Sequence, residues 1–339
     1  MMKNRRPAPA SIAVSGLRKS YGDKVVLDGV SLHVAEGSVF ALLGPNGAGK
    51  TTVVQILSTL IAADGGRAEV AGCDVANDPA GVRAAIGVTG QFSAVDALMT
   101  GAENLRLMAD LRHLDKTRSR QRVAELLEQF DLVDAGTQSL ATYSGGMTRR
   151  LDLAMTLVST PRVIFLDEPT TGLDPRSRQV MWDIIRDLVQ QGVTIFLTTQ
   201  YLEEADRLAD RVALLDAGRI VAEGTPADLK RLIPGGHIEL RFADDEALER
   251  AARVLGQQQD TGVMPGDASA VSLPVRDAGA VATLRRAFDE LDRESIDVDA
   301  VEIHTPDLND VFLALTGRAT STVPDGPDRR ASPRKGVGR

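Results

Sequence analysis

Gly44-Pro45-Asn46-Gly47-Ala48-Gly49-Lys50-Thr51-Thr52 is the stretch on which the rest of the chain depends. An all-apolar run, Val39-Phe40-Ala41-Leu42-Leu43, precedes it, and Val53, Val54, Ile56, Leu57 and Leu60 follow at helical spacing. Strand, glycine turn and helix in that order make a phosphate-binding loop. The glycines let backbone N–H groups close around phosphate oxygens, and the helix adds the positive end of its dipole. Lys50 is placed to reach the β- and γ-phosphates, and the Thr51 hydroxyl to ligate Mg²⁺. A nucleoside triphosphate and Mg²⁺ are therefore the expected ligands.

Working outward, residues 11–39 read as short strands broken by Gly16, Gly22-Asp23 and Asp28-Gly29. Tyr21 in this segment is equally suited to stacking on a nucleotide base or packing on a sheet. Downstream, Ala68–Val70 and Ile86–Val88 are strand candidates, and Gln91 follows the second. Between about residues 92 and 160 the pattern turns helical. One stripe is Leu105, Leu107, Met108 and Leu111; another is Val123, Leu126, Leu127 and Phe130. This block reads as a helical subdomain inserted into an α/β core. Two further largely apolar runs, 163–167 and 193–197, suit parallel strands covered on both faces. The helix after the first turns Val180, Ile184, Ile185 and Leu188 inward, with Trp182 as packing. A helix from Glu203, a strand Val212–Leu215 and a Thr225-Pro226 helix start complete the core.

The expected domain organisation follows. Residues 1–10 form a flexible N-terminus and 11–233 the nucleotide-binding domain. Residues 234–317 form a small α+β accessory domain, entered through Pro234-Gly235-Gly236. Residues 318–339 form a disordered tail rich in Pro, Gly, Ser and Arg. The net charge of −8 excludes a general nucleic-acid binder, because phosphate neutralisation needs basic surface. A single cysteine, Cys73, excludes an internal disulfide framework. No stretch approaches the roughly 20 apolar residues that cross a bilayer. Any membrane role must then come through a partner chain.

Two carboxylates, Asp167 and Glu168, end the 163–167 run. The first is suited to holding Mg²⁺, the second to polarising an attacking water as general base. Ser144-Gly145-Gly146 opens a second helix and makes a second anion-binding N-terminus. One nucleotide does not need two such cradles on one subunit. A head-to-tail homodimer satisfies both, each Ser-Gly-Gly gripping the γ-phosphate held by the other copy's loop.

Together, the loop at 44–52, Gln91, Ser144-Gly145-Gly146, Asp167-Glu168 and Gly172-Leu173-Asp174 resemble the nucleotide-binding subunit of an ABC transporter. The resemblance spans roughly residues 12–232. It implies an ATPase, with Tyr21 as the adenine-stacking aromatic and Gln91 as a Mg²⁺ and partner sensor. It also implies that Asp174 crosses the dimer interface. Glu168, Lys50 and Gln200 are the implied catalytic residues, and Thr51, Gln91 and Asp167 the metal set. Gln200 replaces the histidine that most members carry. Its amide donates a hydrogen bond to a phosphate but carries neither charge nor proton.

Tyr143-Ser-Gly-Gly-Met147 with Arg149-Arg150-Leu-Asp-Leu153, the run Thr198-Thr-Gln-Tyr-Leu-Glu-Glu-Ala-Asp206 and Leu308-Asn-Asp-Val-Phe-Leu-Ala-Leu-Thr-Gly317 further resemble the daunorubicin-resistance type of drug-export ATPase. That branch implies a separate polytopic membrane subunit and peripheral attachment at the cytoplasmic membrane face. The alternatives are an exporter ATPase for lipid or polysaccharide, a soluble ABC ATPase remodelling a protein complex, and a regulatory nucleotide-binding module with little hydrolysis.

Overall fold

The computed structural model describes residues 10–90, 94–233, 236–256, 264–265, 270–274, 279–304 and 307–316. Gln91, residues 1–9, Pro234-Gly235 and the tail from 317 lie outside the described residues. Ala10, expected in a flexible terminus, is the first residue of a strand.

The segment expected as several short strands is one long hairpin, β1 (Ala10–Tyr21) and β2 (Lys24–Ala35). Gly22-Asp23 turns it, whereas Gly16 and Gly29 sit inside the strands at positive φ. The register shift between Val14 and Leu17 shows that Gly16 serves a bulge, not a chain break. After β3 (Val39–Leu43) comes α1 (Lys50–Leu57). Leu60 lies past the end of α1 and is exposed, not on its buried face. β4 (Gly65–Val70) and β5 (Cys73–Asp74) join the hairpin in a sheet ordered β2-β1-β4-β5. A helix unforeseen in the sequence, α2 (Pro79–Ala85), starts at the Asp78 cap and leads into β6 (Ile86–Thr89).

The helical block contains α3 (Gly101–Leu111), α4 (Lys116–Gln129) and α5 (Gly145–Thr156). The expected stripe on α3 is only half right. Leu105 and Ala109 are buried, Met108 packs partly, and Leu107 and Leu111 are exposed. Asn104 takes the buried place beside Leu105, because its amide bonds the carbonyls of Asp96 and Thr100. Next come β7 (Val163–Asp167), α6 (Pro175–Gln190), β8 (Thr194–Thr199), α7 (Leu202–Leu208), β9 (Arg211–Asp216), β10 (Arg219–Gly224) and α8 (Pro226–Lys230). On α6, Ile184, Ile185 and Leu188 point inward as expected, whereas Val180 does not. Met181 and Trp182 fill that face instead.

These strands form the central sheet β10-β9-β3-β8-β7-β6, parallel except for the edge strand β10. Alternation splits the apolar strands between two cores. Val39, Ala41, Leu43, Ile164, Leu166, Ile195 and Leu197 face the helices. Phe40, Leu42, Phe165 and Phe196 face the hairpin sheet and α1. Phe40 and Phe196 stack with centroids 5.5 Å apart. Each buried phenylalanine contributes roughly 1.5–3 kcal/mol of transfer free energy, so both faces of the sheet are fixed where they carry the site.

Beyond α8, β11 (His237–Arg241), α9 (Asp245–Gly256), β12 (Met264–Pro265), β13 (Ala270–Pro274), α10 (Gly279–Arg293) and β14 (Ala300–His304) form a sheet ordered β12-β13-β11-β14 with its own core of Ile238, Leu240, Ala251, Leu255 and Leu291. The last helix, α11 (Leu308–Thr316), does not join that core. Its Leu308, Val311 and Phe312 pack back with Leu208 and Leu229 into the helix-side core of the nucleotide-binding fold.

Candidate functional site

The carboxyl ends of β3, β7 and β8 meet along one rim of the sheet, where parallel α/β folds bind ligands. The glycine loop leaves β3 there. Gly49 takes φ +110°, and a Cβ on it would meet the Leu27 side chain at 2.7 Å. A Cβ on Gly44 would meet the Leu215 carbonyl oxygen at 2.3 Å. The first glycine is thus required by conformation and the second by close approach.

Lys50, the first residue of α1, is buried and donates to the carbonyls of Gly44 (2.8 Å) and Pro45 (3.2 Å). Its Nζ stands 3.7 Å from Glu168 Oε1. Burial lowers the Lys50 pKa, against the opposing attraction of Glu168 and Asp167. Thr51 Oγ1 donates to Asp167 Oδ2 at 2.9 Å. The other oxygen, Asp167 Oδ1, accepts a short hydrogen bond from the Thr198 hydroxyl. Asp167 is buried and thereby fixed by a threonine from α1 and another from β8. The hydroxyl of Thr51 and the carboxylate of Asp167 are hard oxygen donors side by side, which fits Mg²⁺, an ion that takes few protein ligands and fills its shell with water and phosphate.

Glu168 is the next residue. Its backbone has φ +49°, left-handed for a non-glycine residue. Its N–H donates to the Thr198 carbonyl at 3.1 Å, and its Oε2 accepts from Thr171 Oγ1 at 3.2 Å. Gln200 is half-buried and leaves β8 beside the loop: Gly44 N–H donates to the Thr199 carbonyl at 3.4 Å. Thr199 Oγ1 accepts from Tyr201 N–H and sets that turn.

Ser144 caps α5, its Oγ accepting from Met147 N–H at 3.2 Å, and Ser144 and Gly145 are exposed. Asp174 likewise caps α6 through Ser177 N–H and Oγ, and is exposed. Tyr21 is 50% exposed at the hairpin turn, with Lys19 Nζ 5.5 Å from its ring centre. The fold thus brings together the loop, Asp167, Glu168 and the start of Gln200. It leaves Ser144-Gly145, Asp174 and Tyr21 open on the surface.

Four residues that organise this rim belong to the motif runs of the drug-export branch, which assign them no role. Thr198 was legible as a hydroxyl ending an apolar strand. Arg149 and Asp152 belong to a run shared with the drug-export branch, but only the fold shows what they hold. Buried Glu204 accepts from Thr170 Oγ1 (2.9 Å) and Trp182 Nε1 (3.3 Å). Burial raises its pKa, although hydrogen bonds from Thr199, Thr170 and Trp182 oppose the rise.

Comparison with known proteins agrees with this geometry. The ABC transporter family model matches residues 27–171. A daunorubicin resistance ATP-binding protein of Streptomyces coeruleorubidus, DrrA2, is 50% identical over 315 residues, 92% of this chain and 97% of the relative. A doxorubicin resistance ATP-binding protein of Mycobacterium tuberculosis is 46% identical over 92% of this chain and 96% of that relative. A Nod factor export ATP-binding protein of Paraburkholderia xenovorans is 38% identical over 91% of this chain and 98% of its own length. Among solved structures, an ATP-binding subunit of an ABC transporter superposes with TM-score 0.59 at 28% identity, covering 65% of this chain and 92% of its own. The chain belongs to the ABC transporter ATP-binding family and is an ATPase of the ABC type.

Proposed function

We propose that this ATPase energises efflux of a hydrophobic drug or antibiotic through a separate membrane-spanning subunit, bound peripherally at the cytoplasmic face. Among the described residues no helix is long and apolar enough to cross a membrane. The observation that carries the cargo class is the 50% identity to a daunorubicin resistance protein, which extends over 92% of this chain and so past the nucleotide-binding fold. The Nod factor export relatives, at 36–38% identity, favour a second reading in which the cargo is a lipid or polysaccharide conjugate.

In the proposed cycle two copies sandwich two ATP molecules. Lys50 moves from the loop carbonyls onto the phosphates, and the added negative charge favours its ammonium form. Thr51 and Asp167 would hold Mg²⁺, with Gln91 added by family resemblance, and the ion would neutralise charge on the phosphates. Glu168 takes the proton of the attacking water. Gln200 donates its amide to the γ-phosphate. Ser144, Gly145 and Gly146 of the partner copy grip the same phosphate with their helix N-terminus. Tyr21 stacks on the base, and Asp174 reaches across the interface. ATP bound only in the closed dimer shifts the population toward closure, and hydrolysis reverses it.

Two experiments test this. Mixing Lys50→Ala and Ser144→Arg proteins should restore one intact site per dimer and part of the MgATP-dependent pairing. No recovery would refute the shared site. Co-expression with a polytopic membrane protein that co-purifies with this chain should lower cellular daunorubicin accumulation in a Lys50-dependent way. Unchanged accumulation, with export of a glycolipid instead, would favour the second reading.

A further inference from the structure

Arg149 and Asp152 lie one turn apart on α5, the helix whose exposed N-terminus is Ser144-Gly145-Gly146. Their side chains are only 11% and 4% exposed and pair at 3.2 Å. The Arg149 guanidinium holds four carbonyls besides. Nε donates to Pro169 (2.9 Å), Nη2 to Asp167 (3.1 Å) and Glu168 (3.3 Å), and Nη1 to Gly90 (2.8 Å). Asp152 Oδ1 in turn accepts from Ala94 N–H at 3.1 Å. One buried fork therefore ties α5 to three consecutive carbonyls at the end of β7, and the pair grips the chain at residues 90 and 94.

The middle carbonyl of the three belongs to Glu168, whose backbone at φ +49° is left-handed, a conformation disfavoured for a non-glycine residue. Such a conformation persists only where its surroundings over-determine it. Thr198 holds it from β8 through the Glu168 N–H, and Arg149 holds it from α5 through the carbonyls. A planar five-donor fork suits this task and an ammonium does not. A shift or rotation of α5 moves the fork, and the fork moves the backbone that aims the Glu168 carboxylate.

We infer that Arg149, oriented by Asp152, is a positioning residue that couples the two ATP sites: seating of the partner's γ-phosphate on Ser144 at one end of α5 sets Glu168 of the same chain for attack at the other site. This rests on the shared-site dimer proposed above. Arg149 touches no reacting atom. Its effect is on the aim of the base and not on nucleotide affinity.

The test uses the full chain carrying Arg149→Met, Arg149→Lys or Asp152→Asn. Fluorescent-ATP binding, steady-state turnover with its Hill coefficient, and MgATP-driven pairing in a Glu168→Gln background are measured for each. Arg149→Met should lower turnover by about 10²-fold, the scale of a misplacement near 1 Å. Positive cooperativity in ATP should fall to a Hill coefficient of about 1. ATP affinity and pairing should stay within about threefold of the parent, because neither needs an aimed base. Arg149→Lys and Asp152→Asn should fall between, and they carry the test if Arg149→Met does not fold. Retained cooperativity and turnover in folded variants would overturn the inference while leaving the dimer intact. So would parallel loss of affinity, pairing and thermal stability, which marks a merely structural knot. Absence of MgATP-driven pairing in the Glu168→Gln parent would overturn the shared-site reading and this inference together.

Discussion

Replacing Glu168 by glutamine isolates the charge and basicity of one carboxylate. Glu168 Oε1 lies 3.7 Å from Lys50 Nζ. At an effective dielectric of about 20, unit charges at that separation interact by roughly 4–5 kcal/mol before desolvation is counted. A triphosphate competes for the same ammonium, so the Glu168 charge opposes its approach. Glutamine keeps the size of the side chain and an oxygen for the Thr171 hydroxyl, now 3.2 Å away. It loses the negative charge and the capacity to take a proton. Turnover should therefore fall by about 10²–10⁴-fold, the usual worth of a general base, which is a barrier increase of about 3–5 kcal/mol. ATP affinity should be unchanged or tighter, and the paired form should accumulate. Phosphate release at saturating MgATP measures the first, and titration with a fluorescent ATP analogue the second. Turnover within about threefold of the parent would remove Glu168 from the role of base. A collapse of binding would show that its contact with Lys50 builds the loop.

Three other outcomes are expected. Gln200→His should leave ATP affinity within about fivefold in the same titration, because either side chain supplies one donor to the phosphate. Glu204→Gln should raise the melting temperature near pH 8, since burial raises the Glu204 pKa and its ionised form strains the fold. The folded state binds more protons than the unfolded one between the ordinary glutamate pKa and the raised value, so stability falls as pH rises through that window. The gain from Glu204→Gln should therefore shrink as scanning calorimetry is moved to lower pH, and a gain independent of pH would refute the assignment. Phe312→Ala should cost about 3–5 kcal/mol by opening a cavity. At about 2–4 °C per kcal/mol for a domain of this size, the nucleotide-binding fold itself should melt roughly 10 °C lower.

Much of this rim was readable from residue order. Val39–Leu43 and residues 163–166 are unbroken apolar runs because they are covered on both faces. Glycines and carboxylates directly after such runs announced a phosphate site. The errors have specific causes. Gly16 and Gly29 read as breaks, but a glycine inside a strand also serves a bulge. Leu107 and Leu111 read as core because apolar spacing does not reveal that Asn104 can be buried when its amide is satisfied. β10 was missed because Arg219–Gly224 has alternating burial only on an edge strand. Arg149 remained silent since, apart from Asp152 one turn away, its acceptors are backbone carbonyls of residues distant in the chain, and carbonyls leave no mark in side-chain identity.

The homeward path of α11 has a practical corollary. The small sheet unit is entered after α8, and the helix that leaves it packs Leu308, Val311 and Phe312 into the ATPase core. Deleting everything past residue 233 would strip an anchor from the engine as well as removing the appendage. A clean excision would splice the chain from 233 to 307 and keep the final helix, so that any change in catalysis could be traced to the unit taken out.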